Sequence, residues 1–263
     1  MKQDRIQEVP KRDLGLRGKR VIVTGAAGGL GRAFATSFAE AGAVVMAADI
    51  RVEGLEETAA LVADAGGTPH TGSVDVTDRA SVEALARLAA DEMGGLDILV
   101  NNAALYATLE RRPFEDIDED VWDKVMAVNI KGVWQMCRVM APLMRANGGG
   151  SIVNVASATV FSGSPQWMHY VASKGAVIAM GRVMAKELGC DEIRVNTIAP
   201  GFTLTEASLN HLDNAREYGV DRAALKRNAE VDDITGGALF LASPLSAYMT
   251  GQTLVIDGGK QFI

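Results

Sequence analysis

The chain is poor in the residues that build disulfide frameworks and metal centres. Of its 263 residues, two are cysteines and three are histidines. Cys137 and Cys190 lie in helix-like segments without the close spacing of a redox or zinc motif, so we expect ordinary thiols in a reducing compartment. The three histidines, His70, His169 and His211, do not have the spacing of metal ligands, and we expect no metal site.

Positive charge is also scarce. The chain has 26 Lys and Arg residues against 33 Asp and Glu, which gives a formal net charge of -7. Nucleic acids and anionic membranes are polyanions, so an acidic surface of this kind disfavours both as partners. Residues 1–16 form a polar arm, and no apolar run approaches the roughly eighteen residues that a membrane span requires. These absences predict a cytoplasmic protein whose partners are small molecules.

The chain does show a regular alternation of strand-like and helix-like segments. Short β-branched runs are followed by longer Ala-rich segments of helical period, which is typical of βαβ units. With 48% apolar and 22% charged residues, residues 17–263 suit one well-packed domain. We therefore predict an α/β fold, a doubly wound parallel sheet of seven strands with helices on both faces. The predicted strands are Arg20–Thr24, Val44–Asp49, Thr68–Asp75, Asp97–Asn101, Ser151–Ser157, Ile193–Ile198 and Gln252–Ile256, and the predicted helices are Leu30–Ala41, Glu53–Ala65, Arg79–Met93, Glu119–Ala146, Tyr170–Leu188 and Asp232–Leu241.

Candidate ligand-binding motifs follow six of the predicted strands. In sheets of this kind, ligands bind beyond the carboxyl ends of the strands, where the strand order reverses. We expect these motifs to converge on one crevice; they begin at Gly25, Asp49, Asp75, Asn101, Ser157 and Pro200. Residues 202–228, after the sixth strand, have mixed polarity and no clean period, and we predict that they form a lid over the substrate. A plain pair of surface helices is the alternative.

A glycine-rich turn, Thr-Gly-Ala-Ala-Gly-Gly-Leu-Gly, runs from Thr24 to Gly31 after the first predicted strand. Glycines let the backbone turn tightly and approach a diphosphate closely. The following helix offers free N–H groups and its positive dipole end to the same anion. Taken alone, the motif could equally be a packing turn without a ligand.

Asp49 closes the second predicted strand and bears on the choice of cofactor. A carboxylate there can accept hydrogen bonds from an adenosine ribose and would repel a 2′-phosphate. We therefore predict NAD in preference to NADP. Arg51 could soften this preference, although the glycine-rich turn contains no Lys or Arg. Asp75 and Val76, after the third strand, could contact the adenine edge, but Asp75 could equally form a turn or cap a helix.

Tyr170 and Lys174 lie four residues apart and therefore share one face of a predicted helix. A nearby ammonium would favour the ionised phenol, so a tyrosine with an ordinary pKa near ~10 could exchange protons at physiological pH. The pair indicates an acid/base group for hydride-transfer chemistry.

A set of motifs occurs in a fixed order along the chain. The set is Thr24-Gly25-(x)3-Gly29-x-Gly31, Asn101-Asn102-Ala103, Asn129, Ser157, Tyr170-(x)3-Lys174, Pro200-Gly201 and Asp257-Gly258-Gly259. Together these motifs resemble those of single-domain short-chain dehydrogenases/reductases, from about residue 17 to the C-terminus. The resemblance implies a Rossmann-like domain that interconverts a secondary alcohol and its ketone. It also implies a homotetramer, built through the helices after Glu119 and Tyr170 and through the C-terminal strand.

The same resemblance implies a role for each residue of a catalytic set. Tyr170 would donate a proton to the ketone oxygen or accept one from the alcohol. Lys174 would lower the pKa of Tyr170 and hydrogen-bond the nicotinamide ribose, and Ser157 would hold the substrate oxygen. Asn129, within a long helix, is similar to the family's Asn that anchors a water on a proton relay from the lysine.

The resemblance extends to the cofactor contacts. Thr203 and Thr205 fall where family members hold the nicotinamide carboxamide. The predicted cofactor-binding residues are Gly25, Ala27, Gly28, Gly29, Leu30, Gly31, Asp49, Ile50, Asp75, Val76, Asn102, Ala103, Tyr170, Lys174, Pro200, Gly201, Thr203 and Thr205. Thr203 replaces a commonly aliphatic residue, which matters little if the contact is through the backbone. Ala104 replaces a usual glycine, and its extra methyl predicts a small local shift.

Residues that flank the catalytic set should line the substrate cavity. They are Leu105, Tyr106, Ser157, Thr159, Phe161, Trp167, Met168 and Tyr170. This wall is mainly apolar and partly aromatic, so we predict a small hydrophobic alcohol or ketone, cyclic or aromatic substrates included. The wall lacks Lys and Arg, which disfavours an anionic substrate, but Arg111 and Arg112 are close enough in sequence to leave that open. His169 would point away from Tyr170 on a helix, and we expect it to have a structural role.

Two other functions stay open. A 3-oxoacyl-thioester reductase would have the same catalytic residues, although Asp49 argues against it because reductive biosynthesis usually draws on NADPH. A non-catalytic dinucleotide sensor or scaffold would keep the fold, but it would not need Tyr170 and Lys174 together.

Overall fold

The computed structural model describes residues 14–211 and 214–263. Its strands are β1 (Arg20–Thr24), β2 (Val44–Asp49), β3 (Pro69–Ser73), β4 (Ile98–Asn101), β5 (Gly150–Val155), β6 (Ile193–Pro200) and β7 (Thr253–Ile256). Its α-helices are α1 (Gly29–Glu40), α2 (Val52–Asp64), α3 (Arg79–Met93), α4 (Glu119–Met126), α5 (Val133–Ala146), α6 (Thr159–Ser162), α7 (Met168–Leu188), α8 (Glu206–His211) and α9 (Val231–Ala242).

The strands form one parallel sheet in the order β3-β2-β1-β4-β5-β6-β7. The predicted doubly wound α/β fold is thereby confirmed. The chain builds outwards from β1 through β2 to β3, then returns to place β4 on the other side of β1. The strand order therefore reverses between β1 and β4, where crevices of this architecture bind ligands.

Apolar residues cover both faces of the sheet, which explains why the strands read as nearly continuous hydrophobic runs. One core cluster joins the sheet to α3, α5 and α7, with Leu99, Met136 and Val177 among its fully buried members. The other joins the opposite face to α1, α2 and α9 and includes Phe34 and Phe38.

Two predicted elements differ from the structure. The third strand was expected over Thr68–Asp75, but β3 ends at Ser73 because it is an edge strand with a largely exposed pattern and little apolar side chain to bury. The long helix expected over Glu119–Ala146 is interrupted by a π-helical turn at Ala127–Gly132, between α4 and α5. Such turns leave helical periodicity almost unchanged, so the sequence pattern did not predict it.

The predicted arm, residues 1–16, lies outside the described residues except for its last three. Of these, Leu16 is fully buried and Leu14 packs against the same core cluster as α1 and α9. The predicted lid contains the short helix α8 and a series of turns from residue 214 onwards, and Thr203 pairs with Ala229 to tie its ends together. Across the described residues, no helix combines the length and apolarity needed to cross a membrane.

Candidate active site

The glycine-rich turn between β1 and α1 is held by hydrogen bonds from neighbouring elements. Ala26 N donates to Ala48 O of β2 (3.1 Å), and the Thr58 hydroxyl of α2 donates to Ala26 O (2.7 Å). Arg32 donates to Ala27 O (2.9 Å) and forms an ion pair with Glu57. The turn is thus fixed by groups on α1, α2 and β2, which the motif itself did not reveal.

The glycines of this turn divide into two kinds. A Cβ at Gly31 would collide with the carbonyl oxygen of Gly25, and a Cβ at Gly25 would lie 2.8 Å from Ala103 Cα. Gly25 also has a φ of 67°, which favours glycine. A Cβ at Gly28 would meet nothing nearer than Arg51, at 3.8 Å. Gly25 and Gly31 therefore serve close packing, whereas Gly28 leaves open space.

The N-terminus of α1 opens onto that space. Gly28 is the N-cap residue of α1, and no side chain forms a capping hydrogen bond there. The first turn of α1, which includes Leu30, carries no acidic residue. Uncapped N–H groups and the helix dipole suit an anion at this position. These features fit the diphosphate of a dinucleotide.

Asp49, at the end of β2, is buried and its carboxylate is bound by main-chain N–H groups. Oδ2 accepts from Ala27 N (2.9 Å) and Oδ1 from Arg51 N (3.0 Å). The Arg51 side chain is mostly exposed, with Nε 3.8 Å from Oδ1. Asp49 therefore joins β2 to the glycine-rich turn, beside the exposed Ile50.

Asp75 and Val76, after β3, are partly committed to structural contacts. Asp75 Oδ1 accepts from both the amide and the hydroxyl of Thr77, so Asp75 forms a turn, and Asp78 caps α3 through Ala80 N. Val76 O accepts from Gln135 of α5. Their expected contact with adenine remains a prediction.

The motif after β4 binds to the end of β1. Thr24 Oγ1 accepts from the amides of Asn102 and Ala103, both at 3.1 Å, and Asn102 Nδ2 donates to Thr24 O and Gly25 O. Asn101 instead points into the core, where its amide donates to Asn154 of β5. The motif therefore fixes the two strands on either side of the switch point.

The loop after β6 reaches back over the glycine-rich turn. A Cβ at Gly29 would lie 3.8 Å from Thr205 Cβ. The Thr205 hydroxyl accepts from Ser208 N, and Ser208 Oγ accepts from Thr205 N, so the two residues cap α8 reciprocally. Thr203 is buried with its hydroxyl directed to Gly201 O, and its carbonyl oxygen accepts from Ser208 Oγ. Pro200 ends β6, and Gly201 N donates to Ile256 O of β7.

Tyr170 and Ser157 meet at the carboxyl end of β5. Both side chains are buried, and Ser157 lies close enough to Tyr170 to affect its pKa. Thr159 Oγ1 donates to Ser157 Oγ (2.9 Å), which leaves the Ser157 proton to point towards Tyr170. Burial raises the pKa of Tyr170 above its ordinary value, Tyr106 adds to the increase, and Ser157 opposes it.

Lys174 is buried close to Tyr170 on the same helix, α7. Its ammonium donates to Val155 O (2.7 Å) and lies 5.7 Å from the centroid of the Tyr170 ring. Burial lowers the pKa of Lys174 to about 8. The two side chains share a helix face, and burial is the largest effect on both pKa values. That Lys174 lowers the pKa of Tyr170 stays a prediction.

Asn129 lies in the π-helical turn and is fully buried. Its Oδ1 accepts from Leu105 N (2.7 Å), and its Nδ2 donates to Leu105 O and to Ser173 Oγ. These contacts occupy both Nδ2 protons and one lone pair of Oδ1, so a water on a relay from Lys174 would bind either the second lone pair of Oδ1 or the main chain.

The predicted substrate wall is centred on three aromatic rings. The centroids of Tyr106, Trp167 and Tyr170 are mutually 5.3 to 5.4 Å apart. Leu105 packs against the same cluster. Phe161, in contrast, packs against the core under α5 and α7, and Met168 is about half exposed. The structure therefore brings together part of the predicted wall.

Sequence reasoning missed an interaction between this wall and the lid. The Arg111 guanidinium lies 4.7 Å from the Trp167 ring centroid, and its Nη2 donates to the Tyr218 hydroxyl (2.8 Å). Tyr218 also packs on Phe202, next to Gly201, with ring centroids 4.9 Å apart. Only the proximity of Arg111 to the wall in sequence could have indicated this contact, and nothing indicated Tyr218.

His169 is buried, and its side chain binds the backbone of α7. Its Nδ1 accepts from Tyr170 N (2.9 Å), and burial lowers its pKa. A neutral ring that accepts from the amide of the next residue fits the structural role expected from the sequence.

Comparisons with known proteins give the family. The family model described as enoyl-(acyl carrier protein) reductase matches residues 25–261. A 3-oxoacyl-(acyl-carrier-protein) reductase of Thermotoga maritima is 41% identical over 93% of this chain and 98% of its own length. A D-threitol dehydrogenase of Mycolicibacterium smegmatis is 39% identical over 94% of each chain. The structure of carveol dehydrogenase from Mycobacterium avium, solved in complex with NAD, superposes with a TM-score of 0.88 at 31% identity, covering 94% of this chain and 98% of the other.

Fold, motifs and relatives agree on one class, the oxidoreductases with a Rossmann-like domain. Within it, the chain belongs to the short-chain dehydrogenase/reductase family.

Proposed function

We propose that this protein is an NAD-dependent dehydrogenase that interconverts a secondary alcohol and its ketone. The grouping of the buried side chains of Tyr170, Ser157 and Lys174 at the carboxyl end of β5 carries the proposal. When hydride adds to a carbonyl carbon, the carbonyl oxygen must be protonated to become a hydroxyl group. A proton donor and a second hydroxyl group that face one point can bind and protonate that oxygen. A nicotinamide ring bound in the crevice would supply or accept the hydride.

The residues of the chain handle the proton and the oxygen. During ketone reduction, Tyr170 donates its proton to the substrate oxygen while Ser157, oriented by Thr159, donates a hydrogen bond to the same atom. Lys174, with a pKa near 8, is mainly protonated at neutral pH. Its positive charge stabilises the phenolate that Tyr170 becomes and offers a proton to replace the one lost. Alcohol oxidation runs these steps in reverse.

NAD is the proposed cofactor in preference to NADP. The Asp49 carboxylate, held by Ala27 N and Arg51 N, lies where a 2′-phosphate would meet a fixed negative charge. The carveol dehydrogenase neighbour was solved with NAD. Wild-type protein should therefore turn over faster with NAD+ than with NADP+, and Asp49→Asn should reduce this preference about tenfold or more. Faster turnover of wild type with NADP+ would contradict the assignment.

A 3-oxoacyl-thioester reductase is the second candidate, favoured by the Thermotoga maritima relative. The two functions need the same Tyr170 and Ser157 but substrates of different size and attachment. A panel of chiral secondary alcohols and 3-hydroxyacyl thioesters, each offered with NAD+ and NADP+, separates them. Activity confined to thioesters would replace the small-alcohol proposal with the second candidate.

We also propose that the protein works as a homotetramer in the cytoplasm. Large apolar side chains are exposed on the helices expected at the interfaces, Trp134 on α5 and Val183 on α7. Their exposure in one copy of the chain fits burial against another copy. Native mass spectrometry or light scattering should give four chains, and a monomer at micromolar concentration would contradict this.

A further inference from the structure

A cluster of cations lies at the outer end of the aromatic wall. The Cζ atoms of Arg111 and Arg222 lie 5.6 and 5.9 Å from the centroid of the Tyr218 ring. A Cβ at Gly219 would lie 3.1 Å from Arg222 Nη2 and 3.2 Å from Lys260 Nζ. Three positive side chains, from the loop after β4, the lid and the C-terminal segment, therefore meet around Tyr218.

This cluster forms no close ion pair, although Asp257 and Asp221 lie near enough to Lys260 to affect its pKa. Among the described residues, the carboxylates that form ion pairs do so with other cations, and none lies within 4.0 Å of Arg111, Arg222 or Lys260. Burial lowers the pKa of Lys260, the charge of Arg222 lowers it further, and Asp257, Tyr218 and Asp221 oppose the decrease. Burial would raise the pKa of Tyr218, but hydrogen bonds and charge from Arg111 and Arg222 outweigh it.

The cluster is continuous with the proposed substrate site. The Tyr170 and Trp167 ring centroids are 5.4 Å apart, and Arg111 Cζ lies 4.7 Å beyond the Trp167 centroid. A substrate whose carbonyl reaches Tyr170 can therefore reach Arg111 with its other end across one aromatic ring.

Trp167 adds an independent sign of a missing ligand. Its indole Nε1 is buried and has no hydrogen-bond acceptor among the described residues. A buried donor without an acceptor costs free energy, and native structures rarely leave one so. An oxygen atom of a ligand placed against the Trp167 ring edge would satisfy it.

We propose that Arg111, Arg222 and Lys260 form an anion subsite, and that the substrate carries an anionic oxygen group at the end remote from its carbinol carbon. This assignment rests on the proposed dehydrogenase function and reverses the expectation of a wholly hydrophobic substrate. Arg111 uses one N–H on Tyr218 and keeps further donors for a carboxylate or phosphate-type group. The hydride and proton chemistry at Tyr170 is unchanged.

Matched ketones test the subsite by binding alone. Calorimetry on the protein saturated with NAD+, which cannot reduce a ketone, would compare 4-acetylbenzoate, its neutral methyl ester and 4-acetylphenylphosphonate. We expect wild type to bind the anions about tenfold or more tightly than the ester, with a ratio that falls at high salt. The carboxylate and the phosphonate arms distinguish which anionic group the subsite prefers. Equal affinity for all three would overturn the proposal.

Variants locate the effect. Arg111→Gln and Arg222→Gln should each reduce the anion-to-ester ratio about fivefold to tenfold while ester binding is unchanged. Arg216→Gln is the matched control, since Arg216 is an exposed arginine of the same lid and its loss removes the same charge. A purely structural role for Arg111 would lower binding of anion and ester alike. An equal fall of the ratio in Arg216→Gln would show a general charge effect and would overturn the subsite.

Turnover of the same ketones tests the anion subsite and the proposed dehydrogenase function separately. Reduction of both probes with no preference for the anion would reject the subsite and leave the dehydrogenase proposal intact. Selective binding of the anion without reduction of either probe, with NADH or NADPH, would support the subsite and reject the dehydrogenase.

Discussion

The two sides of the switch point offer different chemical groups to a ligand, main-chain groups on one side and side chains on the other. On the cofactor side, residues 20–93, the features that suit a ligand are main-chain N–H groups and the space left by Gly28. On the substrate side, residues 98–263, they are side chains such as Tyr170 and Lys174, whose pKa values depend on burial. Main-chain N–H groups can bind an anion whatever the neighbouring side chains are. The pKa of a catalytic side chain, in contrast, depends on each group that surrounds it. This contrast predicts which substitutions change binding and which change chemistry.

The sharpest test is Tyr170→Phe, which removes one hydroxyl from the substrate side. We expect kcat to fall about 10³-fold or more, because the carbonyl oxygen loses its proton donor. The affinity for NADH, measured by fluorescence titration, should change far less than kcat, because the glycine-rich turn and Asp49 do not depend on this hydroxyl group. Tyr248→Phe is the control, since Tyr248 is fully exposed and should keep wild-type turnover. Retained turnover in Tyr170→Phe would sink the assignment of the acid/base.

Two glycines test the cofactor side in opposite ways. Gly31→Ala should lower the free energy of unfolding by about 3 kcal/mol, because the new methyl collides with the Gly25 carbonyl. Gly28→Ala has room for its methyl group and should cost less than about 1 kcal/mol. It should nevertheless weaken NADH binding, because the methyl occupies the space beside the uncapped N-terminus of α1.

Urea unfolding and NADH titration on the same preparations check the pair. Equal stability of the two variants would show that the packing argument is wrong. Unchanged NADH affinity in Gly28→Ala would indicate that the diphosphate lies elsewhere.

The sequence predicted the cofactor side more fully than the substrate side for a physical reason. β-branched runs, glycine spacing and the position of Asp49 are local signals. They determine the conformation of the nearby backbone directly. The strand bounds were therefore predicted closely, apart from the edge strand β3. The π-helical turn around Asn129 has no such local signal, because the sequence keeps its helical pattern through it.

The contacts that the sequence could not predict join distant segments. Arg111 and Tyr218 are 107 residues apart, yet they share a hydrogen bond. The Val155 carbonyl that holds Lys174 is likewise a main-chain group, which no residue type could reveal. For the same reason, the wall was predicted as a stretch of neighbours, whereas Phe161 packs into the core instead.

Lys174 offers a test of burial on the substrate side through stability and pH. Its pKa is lowered to about 8 from an ordinary 10.5, so below pH 8 both states are protonated and the folded state bears the cost of a buried ammonium. Between these values the folded protein releases the proton while the unfolded chain keeps it, so wild-type stability rises with pH. Relative to Lys174→Met, wild type should therefore gain about 3 kcal/mol between pH 7 and pH 10.5.

Urea unfolding at both pH values measures this gain, with Lys186→Met as the control on the same helix. Lys186 is exposed, so its variant should show no comparable change with pH. A stability difference between wild type and Lys174→Met that is independent of pH would mean that Lys174 is not desolvated as the structure indicates.

The smallest effect is expected where the two sides meet, at Thr205. Thr205→Ala removes the hydroxyl that caps α8 through Ser208 N, beside Gly29 of the glycine-rich turn. Loss of a cap costs about 1 kcal/mol, so the equilibrium constant for the ordered form of α8 over the turn should fall about fivefold. The KM for NAD+ should rise by up to this factor while kcat stays nearly constant, because Tyr170 and Ser157 are untouched. Thr68→Ala, at an exposed threonine before β3, should change neither constant. A fall in kcat without a rise in KM would indicate that Thr205 contributes to the chemistry and not to cofactor binding. The lid would then belong wholly to the substrate side of the switch point.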